Sequence, residues 1–314
     1  MREPTIEDHV LLMLSMKRET KFVTFKHILE KLQRDYGKVT EEELRNILDR
    51  IVKEGFVEWK NDTYRATEKG RKEWEKRYNE IDEEKLNPTY LLVWKAKKYY
   101  KVVSNEILKF LSNRYVAVRQ IFTAQVIFRR KFKGKLIQIR DKKELFFWIN
   151  MHGLDFGVYL NEIGSNRASW IVFDIDGELE KTKKVTIEIE KILKDEKINF
   201  ATKFSGSRGF HIWIKPSKPI EFERAREFIK EISKQVKVPS SVKIDYAINR
   251  INGIVRIPYS IHYKTYLISC PVKDLKKLKL EDAKIESVMK RFRSGEFTLR
   301  DSTINGNGLK KFIE

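Results

Sequence analysis

The sequence predicts an α+β protein in two parts, a helical module at the N-terminus and a layer of strands alternating with helices in the C-terminal half. Three observations carry this. Apolar residues recur at helical spacing three times before residue 55. After residue 168, short runs rich in β-branched and aromatic residues alternate with helical segments. The charge is also unevenly divided: residues 1–80 hold 18 Lys+Arg against 17 Asp+Glu, and the remainder holds 47 against 28.

The first part is read element by element. Residues 6–16, 24–35 and 40–54 have apolar positions on one helical face. Thr40 followed by Glu43 is a capping box that starts the third helix, and Gly55 stops it. The segment FVEWKNDTYRAT offers two short strands around Asn61-Asp62, a hairpin signal, and residues 67–79 return to helix. Three helices, a hairpin and a further helix make a winged helix-turn-helix over residues 1–80. Such modules place the third helix in the DNA major groove. Here that helix carries Glu41, Glu42, Glu43 and Asp49 against Arg45, Arg50 and Lys53, so its charge leaves DNA contact and protein contact equally open.

Residues 81–113 read as a helical linker in which Pro88 begins a helix. The stretch 101–140 holds ten Lys+Arg and one acid, interleaved with Phe, Tyr and Ile. Within it, residues 126–139 form two expected strands around Gly134: a basic hairpin suited to a nucleic-acid track, or equally a half-buried hairpin with a solvated face. From 168 onward the expected order is strand (ASWIVFDID), helix (180–196), strands NFATKFS and FHIWI, helix (220–236), then strands VKID, IVRIP and YLISC in a mixed sheet. Residues 114–314 are thus expected to form one catalytic domain.

Composition excludes several classes. One cysteine, Cys270, permits no internal disulfide and no zinc site needing two thiolates, so no zinc is expected. No apolar run reaches the roughly 18–20 residues of a membrane span, and the start MREPTIEDHV lacks a signal-peptide pattern. The expectation is a soluble, cytoplasmic protein. The net charge of +20 points to a polyanionic partner. A thermophile's surface habit raises both signs together, which accounts for the N-terminal balance better than for the C-terminal excess.

Three motifs carry chemistry. In Asp174-Ile175-Asp176 the two carboxylates share one strand face while Ile171, Phe173 and Ile175 take the other. Carboxylates so spaced can share divalent ions, and hard oxygen donors suit Mg²⁺ or Mn²⁺. A lone DxD at a strand end is also an ordinary solvated terminus. In Ser205-Gly206-Ser207-Arg208-Gly209-Phe210-His211, two glycines let the backbone approach a phosphate, Arg208 adds a charge, and His211 begins the next strand. The same letters describe a β-turn followed by a core histidine. Asp245 ends a strand as Asp174 does, and Arg256, His262 and Lys264 follow in RIPYSIHYKT.

The ordered set FDID, SGSRGFHIW, ID and RIPYSIHYKT resembles the archaeo-eukaryotic primase superfamily, most closely its catalytic small subunits and primase-polymerases. A weaker likeness reaches back to about residue 120, through the helix at Glu144–Ile149 and GVYLNEI. The resemblance implies a primase-type core with an RNA-recognition-like mixed sheet. It implies that Asp174, Asp176 and Asp245 hold two divalent metal ions. Ser205, Gly206, Arg208, Gly209 and His211 would receive the nucleotide phosphates, and Arg256, Ser260, His262 and Lys264 the triphosphate tail. It further implies template-dependent nucleotidyl transfer from NTP or dNTP to a primer on a DNA template, with a large primase subunit or another replication protein as partner. The chain departs from the family in lacking a cysteine/histidine zinc module. It has only 33 residues between His211 and Asp245, Ser207 where arginine is frequent, and Tyr266 where glycine is frequent. A primase-fold polymerase for gap filling or end joining is the alternative. A winged-helix regulator with a nucleotide-sensing second domain is a further one, against which the three acids argue.

Overall fold

The structure, a computed structural model, describes residues 1–17, 19–122 and 125–295. It forms two compact units, Met1–Lys98 and a second beginning at Tyr99. No helix among the described residues is long and apolar enough to cross a membrane.

In the first unit, Thr5 caps α1 (Ile6–Ser15). Its side chain accepts from Asp8 N, and Asp8 accepts from Thr5 N at 2.8 Å, closing a capping box. The helix is buried almost all round from Glu7 to Ser15. There follow β1 (Val23–Thr24), α2 (Phe25–Tyr36), α3 (Glu41–Lys53), β2 (Val57–Lys60), β3 (Thr63–Ala66) and α4 (Glu68–Tyr78). Thr40 accepts from Glu43 N, but the Glu43 carboxylate does not accept from Thr40 N in return, so the expected capping box is only half formed, and Gly55 leaves α3 with φ 75°. Asn61 and Asp62 both have positive φ, at 47° and 54°, the requirement of a type I′ hairpin turn. The strands pair in the order β1-β3-β2, where β1 is an element the sequence pattern did not announce. Glu7 receives Arg50 and Arg77, and Asp8 receives Arg2, so a buried acid pair on α1 ties α3 and α4 to it.

Helix α5 (Pro88–Leu111) starts on Asn87, whose Oδ1 accepts from Thr89 N and Tyr90 N. The segment expected as a linker is therefore mostly one helix, and the division between the compact units falls inside it. The second unit continues with β4 (Val116–Ile121), β5 (Val126–Arg129), β6 (Lys131–Phe132), β7 (Lys135–Leu136), α6 (Lys142–Asn150), β8 (Gly153–Tyr159) and β9 (Ile171–Gly177). Then come α7 (Leu179–Asp195), β10 (Ala201–Phe204), β11 (Phe210–Ile214), α8 (Phe222–Lys234), β12 (Val242–Ile244), β13 (Ile254–Arg256) and α9 (Ile285–Arg293). The expected catalytic domain's last residues, 296–314, lie outside the described residues.

Two four-stranded sheets result, ordered β10-β11-β9-β12 and β13-β8-β4-β5. Every ladder between named strands is antiparallel, which corrects the expected mixed sheet. The crossover through α7 makes β9 and β10 run the same way, but β11 inserts between them and opposes both. The basic hairpin is also corrected. β5 pairs with β4, and only the two-residue strands β6 and β7 close around Lys133-Gly134. YLISC is not a strand either. Tyr259 and Tyr266 have φ of 66° and 60°, a left-handed bend that reduces pairing there to isolated bridges. Phe173 and Ile175 point into the core beneath α7 and α8, with Phe173 edge-on to Phe228 at 6.0 Å. This alternation leaves Asp174 and Asp176 on the opposite face.

Candidate nucleotidyl-transfer site

A cleft of about 470 Å³ lies over that opposite face. Of the residues singled out by sequence, Asp174, Asp176, Ser205, Arg208, His211, Arg256, His262 and Lys264 line it. Asp245, Gly206, Gly209 and Ser260 are not among its lining residues.

The sheet aligns the chemistry in a row. Lys203 on β10 is opposite His211 on β11, which is opposite Asp174 on β9, and Asp245 N donates to Asp174 O at 2.7 Å. His211 Nε2 is 3.2 Å from Asp174 Oδ1, which assigns the ring proton to Nε2. Burial and then Lys203 push the His211 pKa down to about 4, so the ring is neutral at ordinary pH. Burial pushes Asp174 up, but His211, Lys203 and Arg256 more than offset this and hold it below the usual carboxylate range. Lys203 is fully buried and donates to Ser269 Oγ at 2.6 Å. Desolvation, reinforced by Arg256, depresses its pKa well below that of a free lysine. Asp176 is half exposed, with Arg208 Nε 3.8 Å away.

The turn after β10 organises itself. Ser205 Oγ accepts from Ser207 N at 3.3 Å and Gly209 N at 3.2 Å. Its two glycines answer to packing. A Cβ on Gly206, at φ 90°, would lie 2.8 Å from His262 Cβ, and one on Gly209 would lie 2.2 Å from Ile175 O. Thr265 Oγ1 donates to Gly206 O, tying the turn to the loop that carries His262. His262 Nδ1 accepts from Lys264 N at 3.2 Å and Thr265 N at 3.3 Å, which leaves the proton on Nε2 as a donor. Burial, then the positive charge of Arg256, lowers its pKa to about 4.

Arg256 is held rather than free. Its Nε and Nη2 each reach a different oxygen of fully buried Asp155 at 2.9 Å, and Nη1 donates to Ser205 O at 3.2 Å. Arg119 adds a second cation to the same carboxylate at 3.3 Å and stacks between the rings of Phe128 and Tyr263. Ser260 does not face the cleft. Its hydroxyl accepts from Phe156 N at 2.7 Å inside the core, joining the loop to β8. Asp245 caps the short 3₁₀ turn after β12, its Oδ1 accepting from Ala247 N at 3.1 Å, with Lys243 Nζ 3.7 Å from Oδ2.

Sequence reasoning missed Asp155, Arg119, Phe128, Lys203 and Tyr263. Two had a readable signal. Asp155 is a carboxylate inside the apolar run of β8, where an unpaired charge is too costly to keep. Lys203 shares a strand face with Ser205 by simple alternation. Among the described residues, no three His, Cys, Asp or Glu side chains already converge as a metal site.

Residues 120–244 match the family model of the primase-polymerase domain of LigD. The polymerase domain of Mycobacterium tuberculosis ligase D, solved in complex with DNA, superposes with a TM-score of 0.55 at 18% identity, covering 64% of this chain and 88% of that one. This is a likeness of fold. The primase-polymerase domain of cyanophage S-2L is more distant, with a TM-score of 0.35 at 11% identity over 60% of this chain and 95% of that one. A Methanocaldococcus jannaschii protein, MJECS07, is 41% identical over 54 residues, which are 17% of this chain and 12% of that relative's length.

Proposed function

We propose that the second unit, whose residues 120–244 match the family model of the LigD primase-polymerase domain, is a member of the archaeo-eukaryotic primase superfamily and performs template-directed nucleotidyl transfer to a DNA 3′-hydroxyl, by a two-metal reaction at Asp174 and Asp176. The observation that carries this is the shared cleft. Two carboxylates on one strand face stand across from the 205–209 turn and from Arg208, Arg256, His262 and Lys264.

The donor set fits hard divalent cations. Asp174 is held ionised and Asp176 is half exposed, so both offer carboxylate oxygens of the kind Mg²⁺ or Mn²⁺ prefers. Asp245 would join them by turning its carboxylate away from Ala247 N and Lys243. Bound divalent ions would lower the pKa of the attacking hydroxyl and offset charge on the leaving pyrophosphate. The chain's own residues then have separate tasks. His211 orients Asp174 through Nε2–H and stays neutral. His262 offers Nε2–H as a hydrogen-bond donor to a phosphate oxygen. Arg208 and Lys264 supply charge to the triphosphate, while Arg256, tied to Asp155, holds the 205–209 turn at Ser205 O.

The first unit's element order supports a winged helix-turn-helix accessory to catalysis, and its balanced charge supports a recruiting role more than tight duplex binding. The family match is to a polymerase domain named for a ligase. It favours a second reading within the same chemistry, extension at gaps or ends with little initiation. An extension assay with and without primer on single-stranded templates, run with NTPs and dNTPs separately and with Mg²⁺ or Mn²⁺, tests both. Primer-independent products support primase action, and primer-only products support the second reading. No incorporation under any condition overturns nucleotidyl transfer.

A further inference from the structure

Lys243 stands on the acid face of the sheet. It is the middle residue of the edge strand β12, and its direct partner across the ladder is Asp176 on β9. Residues paired in this way show their side chains on one face. Val242 and Ile244 are buried and the Lys243 side chain is 75% exposed, as that alternation requires. Its one ion pair among the described residues is with Asp245, Nζ lying 3.7 Å from Oδ2.

Asp176 therefore lies between two cations. On the β11 side is Arg208, in the 205–209 turn, with Nε at 3.8 Å. On the β12 side is Lys243. Only the first of these belongs to the cleft: Arg208 lines it together with Arg256, His262 and Lys264, and Lys243 is not among its lining residues. The two cations thus face different anions. In nucleotidyl transfer the bond from the attacking hydroxyl to phosphorus forms in line with, and opposite to, the bond that breaks to pyrophosphate. With the pyrophosphate on the turn, the primer end enters from the β12 side. The last phosphodiester of that strand lies within a single sugar of the attacking hydroxyl.

The contact that holds Lys243 is easily exchanged. Both partners are open to water, where such a pair is weak. An Asp245 carboxylate that turns towards Asp174 and Asp176 leaves the ammonium without its partner. We propose that Lys243 binds the terminal phosphodiester of the primer, exchanging Asp245 for it as the reactive complex assembles. The proposal rests on the polymerase reading of the cleft.

The test is binding of the full chain to a labelled primer–template, read by anisotropy with Mg²⁺ and a complementary dNTP whose α,β-bridge is a methylene, so that no transfer occurs. Two primers are compared, one all-phosphodiester and one whose terminal linkage is an uncharged methylphosphonate. One phosphate contact on duplex DNA carries about 0.9 of log–log salt slope, roughly an eightfold affinity at 0.1 M salt. The wild-type chain should lose about that factor when the terminal linkage is neutralised. Lys243→Met should bind the ordinary primer more weakly by a similar factor and lose nothing further on the methylphosphonate, while Lys243→Arg keeps the wild-type pattern. If Lys243→Met does not fold, Lys243→Gln makes the same comparison. Equal sensitivity to the neutral linkage in wild type and variant, including none in either, overturns the proposal, as does wild-type affinity of the variant for the ordinary primer. A chain that extends primers yet gives that result loses only this assignment, whereas a chain that incorporates no nucleotide loses the polymerase reading itself.

Discussion

Arg256 and Asp155 form a two-point ion pair beneath the cleft, with both N–O distances at 2.9 Å and Asp155 fully buried, although 101 residues separate them in sequence. The pair joins β13 to β8 and fixes the guanidinium that holds Ser205 O. Removing the acid alone strands two cations, Arg256 and Arg119, in a low-dielectric site. Asp155→Ala should therefore cost about 3–5 kcal/mol in denaturant unfolding. In a double-mutant cycle with Arg256→Ala, the combined loss should be clearly smaller than the sum of the single losses. Strict additivity would mean that the two side chains do not support one another.

Asp174→Asn and Asp176→Asn should each lower primer extension by at least about 10²–10³-fold, the scale of removing one group that stabilises developing charge. Their unfolding midpoints should stay close to wild type, since neither side chain lies on the core face. The two need not behave identically. Asp174 also accepts from His211, so its variant should in addition disturb the His211 imidazole resonances, and Asp176→Asn should not.

Both His9, buried in α1 and stacked on Tyr36 at 3.6 Å, and His262 have pKa values pushed down to about 4, in each case chiefly by burial. A histidine whose folded pKa lies below its unfolded value of 6.5 is protonated more readily in the unfolded chain. The stability from these two groups is complete above pH 6.5 and is lost progressively as the pH falls towards about 4. Unfolding midpoints measured from pH 7.5 to 4.5 should decline over that window, and His9→Gln should shallow the decline. A midpoint flat to pH 4.5 would contradict the burial argument.

Gly206→Ala forces a side chain into a left-handed backbone and against His262 Cβ. It should cost about 1–3 kcal/mol of stability and raise the nucleotide KM more than it lowers kcat, because it displaces the phosphate-facing turn and leaves the acids in place. Wild-type KM would show that the turn does not meet the nucleotide.

A shortened chain beginning at Asn87 retains the cap and full length of α5 and should keep nucleotide incorporation. Because α3 is not strongly basic, loss of residues 1–86 should flatten the salt dependence of duplex binding by less than about 0.9, the value of one phosphate contact. A truncated protein that folds yet incorporates nothing would assign the first unit a part in catalysis.

The sequence by itself determined what local physics controls. Thr40 and Glu43 marked the start of α3, Asn61-Asp62 marked the hairpin turn, and the alternation of FDID put Asp174 and Asp176 on one face and Phe173 and Ile175 in the core. The motifs at 205–211 and 256–264 were legible because turns and strand faces follow from neighbours a few residues away. Tertiary structure decided the rest. Whether β10 pairs with β9 or with β11 depends on which strand inserts between them, so the all-antiparallel sheet was not readable from the alternation of elements. Ser260 looked like a phosphate ligand until the fold pointed its hydroxyl at Phe156 N, and Arg256 looked free until Asp155 arrived from β8. A charge's partner can lie a hundred residues away, and the low dielectric that makes the pairing obligatory exists only once the chain has closed around it.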